Sequence, residues 1–308
     1  VKILYGTFAF VLVAQVLSGG FASGPTPLRA AWLEARPALD GEVPTGTWQL
    51  QFADGKRKSL SVARATTSPW DAAPVAISGD GLRLAYVRST DLRVVVASFA
   101  GAEDFVGPSG EHVRAMWLSE DGERLLIDHY AERRAGGRRA EDVPDALVEV
   151  GTGRTVSLPV GGELAGFSED GDEVLSRRTL RDGALQVSAH KPDGTAVSWT
   201  PPQDIVLSDL ALSADGTTLV TLDQGRVRRY DLETGRWLAG GASLDPSAYG
   251  LAWRAGVLTV KTGAHDAGNR WHVKVMAVDP ATGATRRLDG YRLPGWTDDG
   301  SLLAAVER

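Results

Sequence analysis

Six times along the chain a short apolar run meets a turn ending in glycine, and a second apolar run follows. Aligned on that glycine, the phrases are AISGDG ending at Gly81, WLSEDG at Gly122, GFSEDG at Gly171, ALSADG at Gly216 and GWTDDG at Gly300, with a degenerate copy, LAWRAG, ending at Gly256. The separations of 41, 49, 45, 40 and 44 residues match the period of a four-stranded propeller blade and not that of a helical repeat. Six copies predict six blades.

Each phrase reads as a hairpin: an apolar strand, a tight turn in which glycine supplies a positive φ at no steric cost, and a return strand. A second hairpin follows in each repeat. It is clearest in RVRRYDLETGRWLA, turning at Asp231 to Gly235, and in VKVMAVDPATGATRRL, turning at Asp279 to Gly283; VEVGTGRTVSL is a shorter version. Four strands per repeat are thus expected. The large apolar residues Ile77, Leu118, Phe167, Leu212 and Trp296 stand four places before their glycines, and Trp253 three before Gly256. Strand alternation demands apolar residues there, so the expectation is packing between blades, set against the alternative of a ligand cage.

The two ends of the repeat region belong together. The last copy stops after SLLAAVER with two strands made, while TWQLQFADGKRKSLSV, residues 47–62, is a hairpin that precedes the first complete phrase. Two strands from each end make one blade, so the N-terminal hairpin is predicted to complete the C-terminal blade, closing the ring and removing its exposed edges. The fold expected is an all-β six-bladed propeller of four-stranded antiparallel blades over residues 47–308. Ahead of it, residues 1–24 carry Lys2, an apolar run from Ile3 to Leu17 and a small-residue tail, the pattern of an export signal; cleavage after Ala22 and retention as a membrane anchor both fit. Residues 25–46, including PLRAAWLEARPALD (27–40), read as a linker or short helix.

With these turns the chain resembles the TolB-like or WD40-like (PD40) six-bladed propellers, whose blades carry an S-x-D-G turn between their first two strands. The resemblance covers residues 47–308. Proper WD40 repeats end their third strand in Trp-Asp, whereas here Tyr230-Asp231 and Val278-Asp279 hold that place and Trp70-Asp71 lies in a connection. Likeness to the TolB-like domains implies binding of a protein or small ligand in the cell envelope and fixes no ligand.

Composition narrows the partners. With 33 basic against 39 acidic residues, the formal charge of −6 gives no broad attraction to nucleic acid or to an anionic membrane surface. Membrane contact is expected only through the N-terminal segment. The absence of cysteine removes disulfides, thiolate zinc sites and a cysteine nucleophile.

Reactive constellations are sparse. The acidic residues Asp80, Glu120, Asp121, Glu169, Asp170, Asp215, Asp298 and Asp299 fall at one repeated turn, each in its own blade, and so should ring a rim rather than converge. The five histidines, His112, His129, His190, His265 and His272, show no metal-ligand spacing, and Asp128-His129 reads as a solvated or hydrogen-bonded pair and not as half of a triad. No nucleophile elbow, Walker loop or G-x-G-x-x-G occurs. No cofactor and no catalytic or metal residue is therefore assigned, and a monomeric, non-enzymatic binding module of the envelope is expected. The alternative is a metal-dependent hydrolase resembling six-bladed lactonases, with carboxylates and an asparagine in the central channel; Asn269 is the only asparagine.

Irregular loops indicate where a partner would bind. In an up-and-down blade the Asp-Gly turns share one face of the disc, and the connections that vary in length and chemistry share the other. That second face receives the Trp70 connection, the basic loop AERRAGGRRAEDVP, RRTLRDG, PPQD and TGAHDAGNR. The candidate partner-binding residues are Arg133, Arg134, Arg138, Arg139, Trp70, Arg181 and His265, with the four loop arginines able to clamp an anionic group.

Overall fold

A computed structural model describes residues 26–38, 41–66, 72–99, 105–129, 144–158, 163–202, 205, 209–254, 256–265, 271–293 and 303–304. Three N-terminal strands, β1 (Leu28–Ala38), β2 (Gly41–Phe52) and β3 (Arg57–Leu60), come first. Five consecutive four-strand units come next. They are β4 (Val75–Ile77) to β7 (Phe105–Ser109), β8 (Val113–Leu118) to β11 (Thr155–Ser157), β12 (Glu163–Phe167) to β15 (Ala196–Trp199), β16 (Asp209–Leu212) to β19 (Arg236–Trp237), and β21 (Tyr249–Arg254) to β24 (Thr285–Leu293). A short β20 (Ala242–Ser243) pairs with β18 (Arg226–Asp231), and β25 (Leu303–Ala304) is last. All pairings are antiparallel, giving a six-bladed β-propeller.

The middle strands show why continuous apolar runs are needed. Between β5 (Arg83–Val87) and its partner β6 (Arg93–Ser98), Leu84, Tyr86, Val95 and Ala97 pack on one side, and Ala85, Val87, Val94 and Val96 on the other. Both faces of a blade are covered by its neighbours, so the alternation of a half-exposed strand disappears. Burying each such Val or Leu stabilises the fold by about 1.5–3 kcal/mol before entropy is counted.

Ring closure takes place as the sequence predicts, in a different proportion. The closing sheet has the order β25-β1-β2-β3, so among the described residues three strands come from the N-terminal side and one from the C-terminal side. The hairpin of residues 47–62 is present as β2 and β3, but Leu28–Ala38, expected as linker or short helix, is the strand β1. Its own alternation accounts for this. Ala30 and Trp32 pack with Val273, Val275 and Tyr291 of the preceding blade, while Ala31 and Leu33 pack with Val75 and Ile77 of the following one. PLRAAWLEA is also compatible with a helix; the two flanking apolar surfaces select the strand.

Further contacts fasten this blade on both sides. The Leu28 amide donates to Gly81 O at 2.7 Å, and a Cβ on Gly81 would lie 2.4 Å from Leu28 O, so this turn must stay glycine for closeness as well as for its φ of 71°. On the other side Arg29 pairs with Asp289 at 2.5 Å, and the Tyr291 hydroxyl donates to Asp289. Burial, then the carboxylate alongside, raises the Tyr291 pKa and keeps the hydroxyl protonated as a donor. The expected signal or anchor, residues 1–24, and Pro25 lie outside the described residues. No helix among the described residues is long and apolar enough to cross a membrane.

Candidate functional site

The S-x-D-G turn is a small hydrogen-bonded unit. Ser78 Oγ donates to Asp80 at 2.6 Å and accepts from the Arg83 amide at 2.9 Å, while Asp80 also accepts from the Leu82 amide. Ser119 with Asp121, Ser168 with Asp170 and Ser213 with Asp215 repeat it. The turn carboxylates are thus engaged within their own hairpins, as structural turn chemistry requires. The second position of the turn differs: it holds Gly79, Glu120, Glu169 and Ala214. Glu169 Oε2 accepts from the Ala214 amide of the next blade at 3.2 Å.

The degenerate fifth copy breaks this unit. Trp253 stands where the serine would be, and Arg254 takes the second position at the end of β21. From there Arg254 Nη1 donates to Ile77 O on β4 at 3.2 Å. β21 and β4 belong to blades separated by the closing blade, so the guanidinium reaches across the ring rather than to a neighbour. Enclosure by protein lowers its pKa from the ordinary arginine value, and the charge of Glu120 opposes that shift.

The inner strands enclose a channel cavity of about 210 Å³. Its wall carries the apolar and aromatic side chains of Met116, Trp117, Phe167, Leu251 and Trp253 among exposed polar groups, and its charged residues, among those described, are Arg254 and Lys261. No Asp or Glu is among the described lining residues. Lys261 pairs in register with Tyr249, at the opposite end of β21 from Arg254, and its ammonium lies over the Tyr249 ring at 5.1 Å. The column of large apolar residues divides accordingly. Leu212 is fully buried between blades, whereas Ile77, Leu118, Phe167 and Trp253 pack against blade cores and also face the channel.

Of the candidate partner-binding residues, Arg181 is exposed on the turn between β13 (Val174–Thr179) and β14 (Leu185–His190). His265 ends β22 (Val257–His265), in register with Trp271. Chain order puts both on the face opposite the Asp-Gly turns. Trp70, Arg133, Arg134, Arg138 and Arg139 lie outside the described residues, as do Asn269 and Trp296. Where the basic loop is rooted, a polar group is visible. Asp128, at 2 % exposure, receives Arg114 Nη2 at 2.5 Å and Nε at 3.0 Å, and Asp145 accepts from the His129 amide at 3.0 Å. Burial chiefly, with Asp145 adding to it and Arg114 opposing, pushes the Asp128 pKa up to about 6. Among the described residues no three His, Cys, Asp or Glu side chains are arranged to hold a metal.

Neither a family model nor a curated relative matches the sequence. Solved structures do match by shape. The acylaminoacyl peptidase of Pyrococcus horikoshii aligns with TM-score 0.54 at 16 % identity, over 87 % of this chain and 45 % of that one, so the chain spans less than half of the peptidase. The β-propeller domain of the trilobed protease from Pyrococcus furiosus, described as having an open velcro topology, aligns with TM-score 0.51 at 15 % identity over 87 % and 84 %. A protein described as TolB from Agrobacterium tumefaciens aligns at 16 % identity over 92 % and 99 %, with TM-score 0.44. At these identities the two Pyrococcus matches show the fold. The six-bladed ring with its S-x-D-G turns is the fold that the resemblance to TolB-like propellers implies.

Proposed function

We propose that the chain is a non-catalytic propeller module of the cell envelope that binds a protein or small-ligand partner, with the axial channel as the seat of recognition and the irregular-loop face as the side of approach. The channel cavity carries this reading. It is concave and combines apolar and aromatic side chains with exposed polar groups, as ligand sites do. Among the described residues its lining offers two cations, Arg254 and Lys261, and no Asp or Glu. The export-like run from Ile3 to Leu17 supports the envelope location, and the basic loop, rooted on the approach side, supports an anionic or acidic partner there.

Filling the channel tests the reading. The full chain and an Ala165→Phe variant, which places a ring in the channel wall, are used to capture partners from envelope extract, with melting checked for both. Loss of capture by a folded variant supports the channel as the seat of binding. Capture at the wild-type level would move recognition away from it.

A further inference from the structure

We propose that the channel takes the carboxylate end of an apolar polypeptide chain, with Arg254 as the residue that grips the carboxylate; this inference rests on the channel being the binding site. Arg254 stands at the turn end of β21 and reaches across that end of the channel to Ile77 O, partly barring it. The opposite end, where Lys261 lies, is by chain order on the side of the irregular-loop face. A ligand arriving from that face passes an ammonium first and meets the guanidinium last, about 17 Å further on along a six-residue strand.

Donor accounting leads to the same residue. A guanidinium carries five N–H donors in a planar fork, and a carboxylate accepts two of them side by side. Arg254 spends one on Ile77 O and makes no other hydrogen bond within the described residues. Glu120 balances part of its charge through space, so the remaining requirement is for acceptors in the plane of the fork more than for bulk negative charge.

Size and polarity select the group attached to the carboxylate. A cavity of about 210 Å³ lies below the range of drug-sized ligands and suits a group of one or two residues. The Trp117, Phe167 and Trp253 walls favour an apolar or aromatic side chain behind the carboxylate over a small hydrated anion such as phosphate.

The test uses the full chain and a matched pair of probes, N-acetyl-Leu-Phe as the free acid and as its C-terminal amide, followed by tryptophan fluorescence and titration calorimetry. The acid is expected to bind about ten- to hundredfold more tightly than the amide, the loss expected for a charge-assisted hydrogen-bonded pair. In Arg254→Gln, shown by its melting curve to be folded, the two probes should bind alike. Arg254→Lys should restore less than half of the preference on a logarithmic scale, because an ammonium cannot form the fork. Acid and amide binding equally to the wild type, with both lost in Ala165→Phe, would keep the channel as the site and overturn the carboxylate assignment. Binding of neither probe, or a preference that survives in Arg254→Gln, would also overturn it.

Discussion

Arg83 Nη1 donates to the carbonyl of Gly122 at 2.9 Å, so a side chain just after one blade's turn holds the turn glycine of the next. Its Nη2 adds an ion pair with Glu123 at 2.6 Å. One junction further, Arg124 repeats the arrangement on Gly171 O and Asp172, at 2.5 Å each. At the following junction Glu173 stands where the arginine would be, and a Cβ on Gly216 would meet its Oε2 at 3.1 Å. Blades that share no strand pairing are thereby stitched along the turn rim.

Arg83→Ala is expected to lower stability by about 1–2 kcal/mol, mainly through loss of the bond to the Gly122 carbonyl. Glu123→Ala, whose carboxylate is half exposed, should cost less than about 0.5 kcal/mol. Urea midpoints of the two variants check the order. An equal effect would place the energy in the ion pair instead of the carbonyl bond.

Asp128 predicts a pH dependence of stability. Its folded pKa, about 6, lies above the ordinary 3.8, so the folded state binds the proton more tightly. The stabilisation this gives is fully present below the unfolded pKa and is lost as pH rises through 6. His129 and His190 act oppositely. Burial lowers their pKa values, so their contribution is present above the unfolded histidine value and is lost as pH falls from there through the lowered folded value. Comparing wild type with Asp128→Asn isolates the carboxyl: between pH 4 and 8 the wild type should lose on the order of 2–3 kcal/mol relative to the variant. Parallel stability curves would show that Asp128 stays ionised throughout.

Replacing Arg133, Arg134, Arg138 and Arg139 by Ala should leave the melting temperature nearly unchanged, since exposed charge pairs contribute roughly 0–1 kcal/mol each. Partner capture should weaken, and weaken more at low salt than at high salt, because screening already suppresses the wild-type advantage. Undiminished capture, combined with its loss in Glu120→Ala, would put the approach on the Asp-Gly face.

The repeat period and its turn glycines were enough to read six blades, because each Asp-Gly turn is local chemistry printed in four adjacent residues. Closure was legible from the incomplete ends, yet the share given by each was not. β1 has no turn phrase of its own, and its apolar residues show a strand period only once the two flanking blade surfaces are known. The rim arginines Arg83 and Arg124 carry no local signal, since their acceptor is a backbone carbonyl some forty residues away. Arg254 did leave a trace. LAWRAG is the copy in which serine and aspartate are both missing, and that departure marks the residue that leaves the turn to cross the channel. The turn carboxylates stood out more in the sequence, but Asp80, Asp121, Asp170 and Asp215 are used up in folding.

In this propeller the ring is closed by strands from both sides of the repeat region meeting in one sheet. Ala30 and Ala304 are register partners across β1 and β25, and the natural chain has no cysteine, so Ala30→Cys/Ala304→Cys introduces the only two thiols. After mild oxidation of the folded protein, thiol titration should find none free, and the melting temperature should rise by several degrees and fall back on reduction, because the bond closes a very long loop in the unfolded chain. Two free thiols remaining in a folded, oxidised sample would mean that the ends do not pair, and the ring would be open.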